Sequence, residues 1–195
     1  MGGWAEVRVG EERGCLAEEL VPSTEVGRAG ERWAPQAPLG SRIPLARQAV
    51  RWVERARSVL DAGWVVCIDY GATTSTDLAE RGFDGWLRTY RSHGRGGGWL
   101  DDLGRQDITC DVPADQLQPA SIESQAAWLG RLGIDGLVQA ARSTWHDRAA
   151  IGDLAALRAR SRVSEAAALT DQAGLGGFLV LSWPAGAMSG RLLSR

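Results

Sequence analysis

The chain has 195 residues, 44% of them apolar and 24% charged, and its 22 basic residues against 24 acidic ones leave a formal net charge of -2. These proportions describe one soluble globular domain with a sizeable core, and they leave no positive surplus for a phosphate backbone or an anionic membrane surface. The longest apolar run, Trp64-Val65-Val66-Cys67-Ile68, is far short of the roughly 20 residues that a bilayer span needs, and no apolar signal segment opens the chain, so the expected compartment is the cytoplasm.

Alternation over Trp4-Ala5-Glu6-Val7-Arg8-Val9 predicts a first β-strand. Residues 10–43 carry Pro22, Gly27, Gly30, Pro35, Pro38 and Gly40 with little periodicity, which predicts an irregular excursion. Pro44 suits the first turn of a helix whose apolar positions Leu45, Ala49, Trp52, Val53, Ala56, Val59 and Leu60 recur at helical spacing, with Gly63 fitting its end. Trp64 to Tyr70 is a continuous apolar run with β-branched residues, the pattern of a strand buried on both faces of a parallel sheet. That run stops at Asp69-Tyr70-Gly71, an acidic residue at the carboxyl end of a strand, where open α/β sheets bind their ligands. Beyond it, residues 72–120 read as an insertion. It starts with a helix entry at Thr74-Ser75-Thr76-Asp77, spaced as a capping box, and contains the flexible run Gly94-Arg95-Gly96-Gly97-Gly98. Helices are expected at about 123–132, closed by Gly133, at 135–145 and at 147–159. A second strand is expected at Gly177 to Trp183, ending before Pro184 and a disordered tail over 186–195.

All basic residues are arginine; without lysine there is no P-loop, no Schiff-base lysine and no kinase-type lysine on a strand. The absence of lysine and asparagine beside abundant Gly and Ala points to a GC-rich bacterial genome. Cys15, Cys67 and Cys110 are odd in number and widely spaced, so plain thiols are expected. His93 and His146 lack partners at ligand spacing, and no metal is expected. The run Asp101-Asp102, Asp107, Asp111 reads as solvated loop carboxylates, and the nine tryptophans as core. No G-x-S-x-G elbow offers a nucleophile. Asp107-Ile108-Thr109, read as a strand, places Asp107 and Thr109 on one face.

Four segments in order resemble one family: Gly63-Trp64-Val65-Val66-Cys67-Ile68-Asp69-Tyr70-Gly71; Thr89-Tyr90-Arg91-Ser92-His93; Asp107-Ile108-Thr109 with Asp111-Val112; and Ser124-Gln125 with Trp128-Leu129 and Leu132-Gly133-Ile134. They are similar to the C-terminal half of the MidA-type S-adenosylmethionine-dependent methyltransferases, which include the mitochondrial arginine methyltransferase that assists respiratory complex I assembly. Trp4-x-Glu6 resembles that family's W-x-E segment, so the similarity reaches from there to about Trp183. Two positions depart: Leu103-Gly104 stands where the family has Pro-Gly, and Ile43-Pro44 where it often has an acidic residue. The family's upstream E-x-G-P-G-x-G turn and its N-E-x-x-D-A-x-P segment have no counterpart in residues 1–195.

The resemblance implies an α/β class I methyltransferase fold of Rossmann-like type, present over 1–185 as the C-terminal part of one domain and lacking its N-terminal cofactor-binding half. It implies S-adenosylmethionine as cofactor, with its binding motif outside this chain, and a protein substrate with arginine as acceptor, which leaves the chain alone inactive. A cationic acceptor calls for carboxylates. The residues assigned to the catalytic pocket are Asp69, Tyr70 and His93, and those assigned to substrate binding are Asp107, Thr109 and Gln125. The alternatives are a non-catalytic interaction module that keeps the fold, and a small hydrolase using Asp69, Asp107 and His93. On the structural alternative, Asp69 merely caps the next helix and Asp107-Thr109 fixes a turn.

Overall fold

The computed structural model describes residues 3–186, and the tail expected over 186–195 lies outside them from residue 187 onward. In chain order the strands and helices begin with β1 (Ala5–Glu12), β2 (Cys15–Pro22), α1 (Thr24–Trp33), α2 (Arg47–Ser58), β3 (Ala62–Asp69) and β4 (Gly71–Ala72). Next come α3 (Ser75–Arg81), α4 (Phe83–Trp86), β5 (Leu87–Arg91), β6 (Gly94–Arg95), β7 (Asp107–Cys110), β8 (Val112–Pro113) and α5 (Ala114–Leu117). The last are β9 (Ser121–Ser124), α6 (Gln125–Arg131), α7 (Ile134–Arg148), α8 (Leu154–Thr170) and β10 (Leu179–Gly186). The chain is mixed α/β and divides into two units, one of Met1–Ala56 with Gly71–Gln118 and one of Arg57–Tyr70 with Pro119–Arg195.

In the first unit the expected excursion over 10–43 is irregular only from residue 34 onward; residues 10–33 form a hairpin and a helix. β1 and β2 form an antiparallel hairpin pairing Ala5 with Pro22 through Glu12 with Cys15, and α1 follows directly. The two turn residues, Arg13 and Gly14, have φ of 55 and 82, the left-handed pair that a tight hairpin of type I′ demands. Arginine is uncommon there, which is why the sequence hides the turn. α1 is capped by the Ser23 hydroxyl, which accepts from Val26 N at 3.3 Å.

The helix entry at Thr74 is as its spacing implies. Thr74 Oγ1 accepts from Asp77 N at 3.1 Å, and Thr74 N donates to the Asp77 carboxylate at 3.0 Å, satisfying two orphan donors reciprocally. Thr74→Ala is therefore expected to cost about 1 kcal/mol of stability, measured by denaturant titration, with Thr74→Ser nearly neutral. Behind α3, Ala72, Leu78 and Trp86 form a buried cluster with Phe83 and Leu87 against it. β4 runs parallel to β8, and a Cβ on Gly71 would lie 2.4 Å from the Val112 carbonyl oxygen, so only glycine permits that approach.

The second unit holds a three-stranded sheet in the order β3-β10-β9, antiparallel at both pairings. This corrects the expected parallel strand. A run of apolar residues reports burial, not the direction of the neighbour. The strand covered on both faces is β10, where Val180, Leu181, Trp183 and Ala185 are all buried, and β3 is an edge with Trp64, Val66 and Ile68 each 43% exposed. β10 also runs through Pro184, which the sequence suggested would end it. β9 stops opposite Ser182, so Pro184 lies where one side of β10 is open, and an open side tolerates proline. Gly63 belongs to β3, paired with Ala185, and does not close the preceding helix; α2 ends at Ser58 with Trp52 and Val59 exposed. The last two helices are displaced from expectation: α7 runs to Arg148, and α8 begins at Leu154, capped by Asp153, not at 147. The Arg148 guanidinium beside the Asp153 carboxyl holds it at a pKa of about 2. Small residues Ala156, Ala159 and Ala166 form the buried stripe of α8, which packs on α7.

Candidate functional site

In the second unit, Asp69 is the last residue of β3, opposite Leu179 of β10, which in turn lies opposite Ser124 of β9. The ladder thus lines up Asp69, Leu179 and Ser124 across one end of the sheet. Asp69 is exposed, and its Oδ1 accepts from Tyr70 N at 2.8 Å, which fixes one carboxylate oxygen. The Tyr70 ring meets Phe178 edge-on, with centroids 5.8 Å apart. Phe178 immediately precedes β10, and its carbonyl accepts from Gln125 N at 2.8 Å. Gln125 opens α6, capped by Ser124, and its buried amide donates to the Leu169 carbonyl at 2.9 Å. Asp69, Tyr70 and Gln125 are therefore gathered at one end of one sheet. Asp69 accepts a hydrogen bond from its chain neighbour and caps no helix; the cap of α3 belongs to Thr74.

The other three candidates belong to the first unit. Asp107 and Thr109 lie on β7 opposite Tyr90 and Arg88 of β5, and they share a face as their spacing implied. His93 sits in the turn joining β5 to β6, exposed, with a φ of 66. The glycine run forms part of this three-stranded sheet and its loop. The Thr89 hydroxyl donates to the Gly97 carbonyl at 2.8 Å, and no helix opens from it.

Sequence reasoning missed two groups in the first unit. Asp111, expected as a solvated carboxylate, is 2% exposed and is paired with Arg88 and with Arg81, whose Nη1 donates at 2.5 Å. The correction follows from long-range structure, since Arg88 on β5 and Arg81 at the end of α3 reach it only once the chain has folded. Its backbone N also donates to the Trp86 carbonyl at 2.8 Å. The second group is Glu18 with Arg42, a two-point pair at 2.7 and 2.5 Å, joined by the Trp99 indole, which donates to Glu18 at 2.8 Å. The Arg42 guanidinium lowers the Glu18 carboxyl below its ordinary range, against the opposing effect of burial. It also lies over the Phe83 ring, 4.6 Å from the centroid. Pairs 24 residues apart leave no periodic signal.

Partial desolvation raises the thiols of Cys67 and Cys110 above their ordinary range. Among the described residues no three His, Cys, Asp or Glu side chains cluster as metal ligands, and no helix is long and apolar enough to cross a membrane. Every strand-to-helix junction of the described chain runs through Ser23, Thr73-Thr74, Pro113 or Ser124, and none carries a glycine-rich turn.

A family model described as "Putative S-adenosyl-L-methionine-dependent methyltransferase" matches residues 1–131. No curated protein matches the chain. Two solved structures from Burkholderia thailandensis share its fold. One is an uncharacterised protein, 22% identical, with a TM-score of 0.69 over 96% of this chain and 51% of that one. The other, bound to S-adenosyl-homocysteine, is 21% identical, with a TM-score of 0.71 over 95% of this chain and 48% of that one. The chain thus spans about half the length of the solved structures it matches.

Proposed function

The chain belongs to this family of S-adenosyl-L-methionine-dependent methyltransferases, and we propose that it forms the acceptor-binding portion of a MidA-type enzyme that methylates a protein side chain, with arginine as the acceptor. The observation that carries this reading is the carboxylate of Asp69 at the end of β3, exposed and pinned at one oxygen by Tyr70 N. A guanidinium must be oriented, and it must lose a proton before its nitrogen acts as a nucleophile. A fixed carboxylate serves both needs. Tyr70, held edge-on by Phe178, and Gln125 at the start of α6 flank the same end of the sheet. His93, assigned with Asp69 and Tyr70 to the catalytic pocket by resemblance, and Asp107 and Thr109 belong to the other unit and take no part in this reading.

The methyl donor itself does not fit the residues present. Holding it takes a glycine-rich turn between a strand and a helix, with a carboxylate ending the next strand. No described junction has such a turn, and Gly71, the glycine nearest a strand end, is committed to the close approach of β4 and β8. The proposal therefore assigns the donor to a half of the fold outside these 195 residues, in keeping with neighbours about twice as long. The same absence favours a second reading, a non-catalytic module that keeps the fold. Transfer of label from S-adenosylmethionine to an arginine-containing protein distinguishes them. The expected result is transfer only when a cofactor-holding half is joined to this chain; no transfer in either form supports the module.

A further inference from the structure

The first unit contains a cleft of about 520 Å³ that none of the candidate site residues line. Its walls are the start of β1 (Trp4, Glu6, Val7), Leu20 of β2, Val26 of α1 and the segment around Arg42 and Ile43. Its floor is built for an aromatic ring: a Cβ on Gly30 would lie 2.2 Å from the Trp4 side chain, so the indole packs directly on the backbone of α1. Leu20, which faces Val7 across the hairpin, is 69% exposed, and Leu39 at the mouth is 95% exposed. Arg42 lends the cleft no free positive charge, because both of its terminal nitrogens are held by Glu18. The hairpin itself carries Glu6, Glu11, Glu12, Glu18 and Glu19 against Arg8 and Arg13. Among the described residues Glu6, the carboxylate of the cleft, is engaged only by its exposed near neighbour Arg8, a type of pair worth little in water and readily exchanged. Finally, β1 and β2 pair only with each other among the described residues, so each offers an unpaired backbone edge.

From these features we propose that the cleft is a docking groove for an extended, basic segment of a protein substrate, which adds as a strand beside β1, seats an apolar side chain on Trp4, Val7 and Leu20, and pairs a cationic side chain with Glu6. The volume suits one or two side chains, the edge supplies main-chain hydrogen bonds, and the acidic hairpin selects positive charge. This deepens the methyltransferase reading, on which it rests, by adding a substrate-recognition surface that Asp69 does not line.

The test uses the 195-residue chain without any methyl donor and a fluorescein-labelled decapeptide of alternating arginine and leucine, read by anisotropy. Binding is expected at micromolar concentration, at least tenfold tighter than for decapeptides alternating glutamate with leucine or arginine with serine. Leu20→Ser and Glu6→Gln, both at exposed or half-exposed positions, should each weaken it about tenfold while the melting curve stays unchanged. Equal affinity for the three peptides, or binding indifferent to both substitutions, overturns the proposal. So does sedimentation showing that a second copy fills the groove, as a dimer that Leu20→Ser dissolves. Absent peptide binding alongside intact methyl transfer faults the groove alone, whereas binding without transfer in the joined enzyme faults the enzymatic reading.

Discussion

Asp111→Ala is expected to lower the unfolding free energy by about 2–3 kcal/mol and the melting temperature by roughly 5–10 °C. Asp111 is 2% exposed and holds the guanidinium groups of Arg81 and Arg88 against the neighbourhood of Trp86. Removing one member of a buried ion pair costs about 3–5 kcal/mol when the remaining charge is sealed from water. Here the figure is reduced, because the Arg81 and Arg88 side chains keep 41% and 24% of their surface in solvent and can rehydrate. Asp111→Asn should fall between the two, since the amide still accepts one hydrogen bond but carries no charge. Asp101, exposed on the neighbouring loop, is the control, and Asp101→Ala should move the melt far less. Equal melting temperatures for the Asp111 and Asp101 variants would contradict the burial argument.

The second large effect is catalytic. In a polypeptide that joins this chain to a cofactor-holding half, Asp69→Asn should reduce methyl transfer at least about tenfold while leaving the melt unchanged. The substitution preserves volume and the contact from Tyr70 N, which an amide oxygen accepts as well. What it removes is the charge that, in the proposed function, holds and deprotonates a cationic acceptor. Asp69 is exposed, so no buried partner is left stranded, and a parallel loss of stability would point to a structural role instead. Activity within twofold of the parent would remove Asp69 from the acceptor site.

How far the sequence carried depended on the range of each signal. The capping box of Thr74 and Asp77 and the strand that ends on Asp69 lie within a few residues of their causes, and both are in the structure. The direction of that strand was not legible, because Val65, Val66 and Ile68 would be apolar beside a parallel or an antiparallel neighbour, and β10 arrives from about 110 residues downstream. The hairpin of β1 and β2 was hidden by Arg13, a residue with no preference for the left-handed conformation it adopts. Asp111 was misread for the same reason as Glu18 and Arg42. A carboxylate in a loop looks solvated until the arginines that bury it are brought from other elements. Among the candidate residues, Asp69 stood out by its position at the end of a strand, whereas Tyr70, Gln125 and, in the other unit, His93 had no local signal and came from resemblance.

The proposed division of labour between an acceptor portion and a separate donor-binding half is tested most directly by calorimetric titration of the 195-residue chain with S-adenosylmethionine. With no glycine-rich strand-to-helix junction among the described residues, the expected isotherm is flat to millimolar concentration. A saturable isotherm in the micromolar range would contradict the account and place the donor site within these residues.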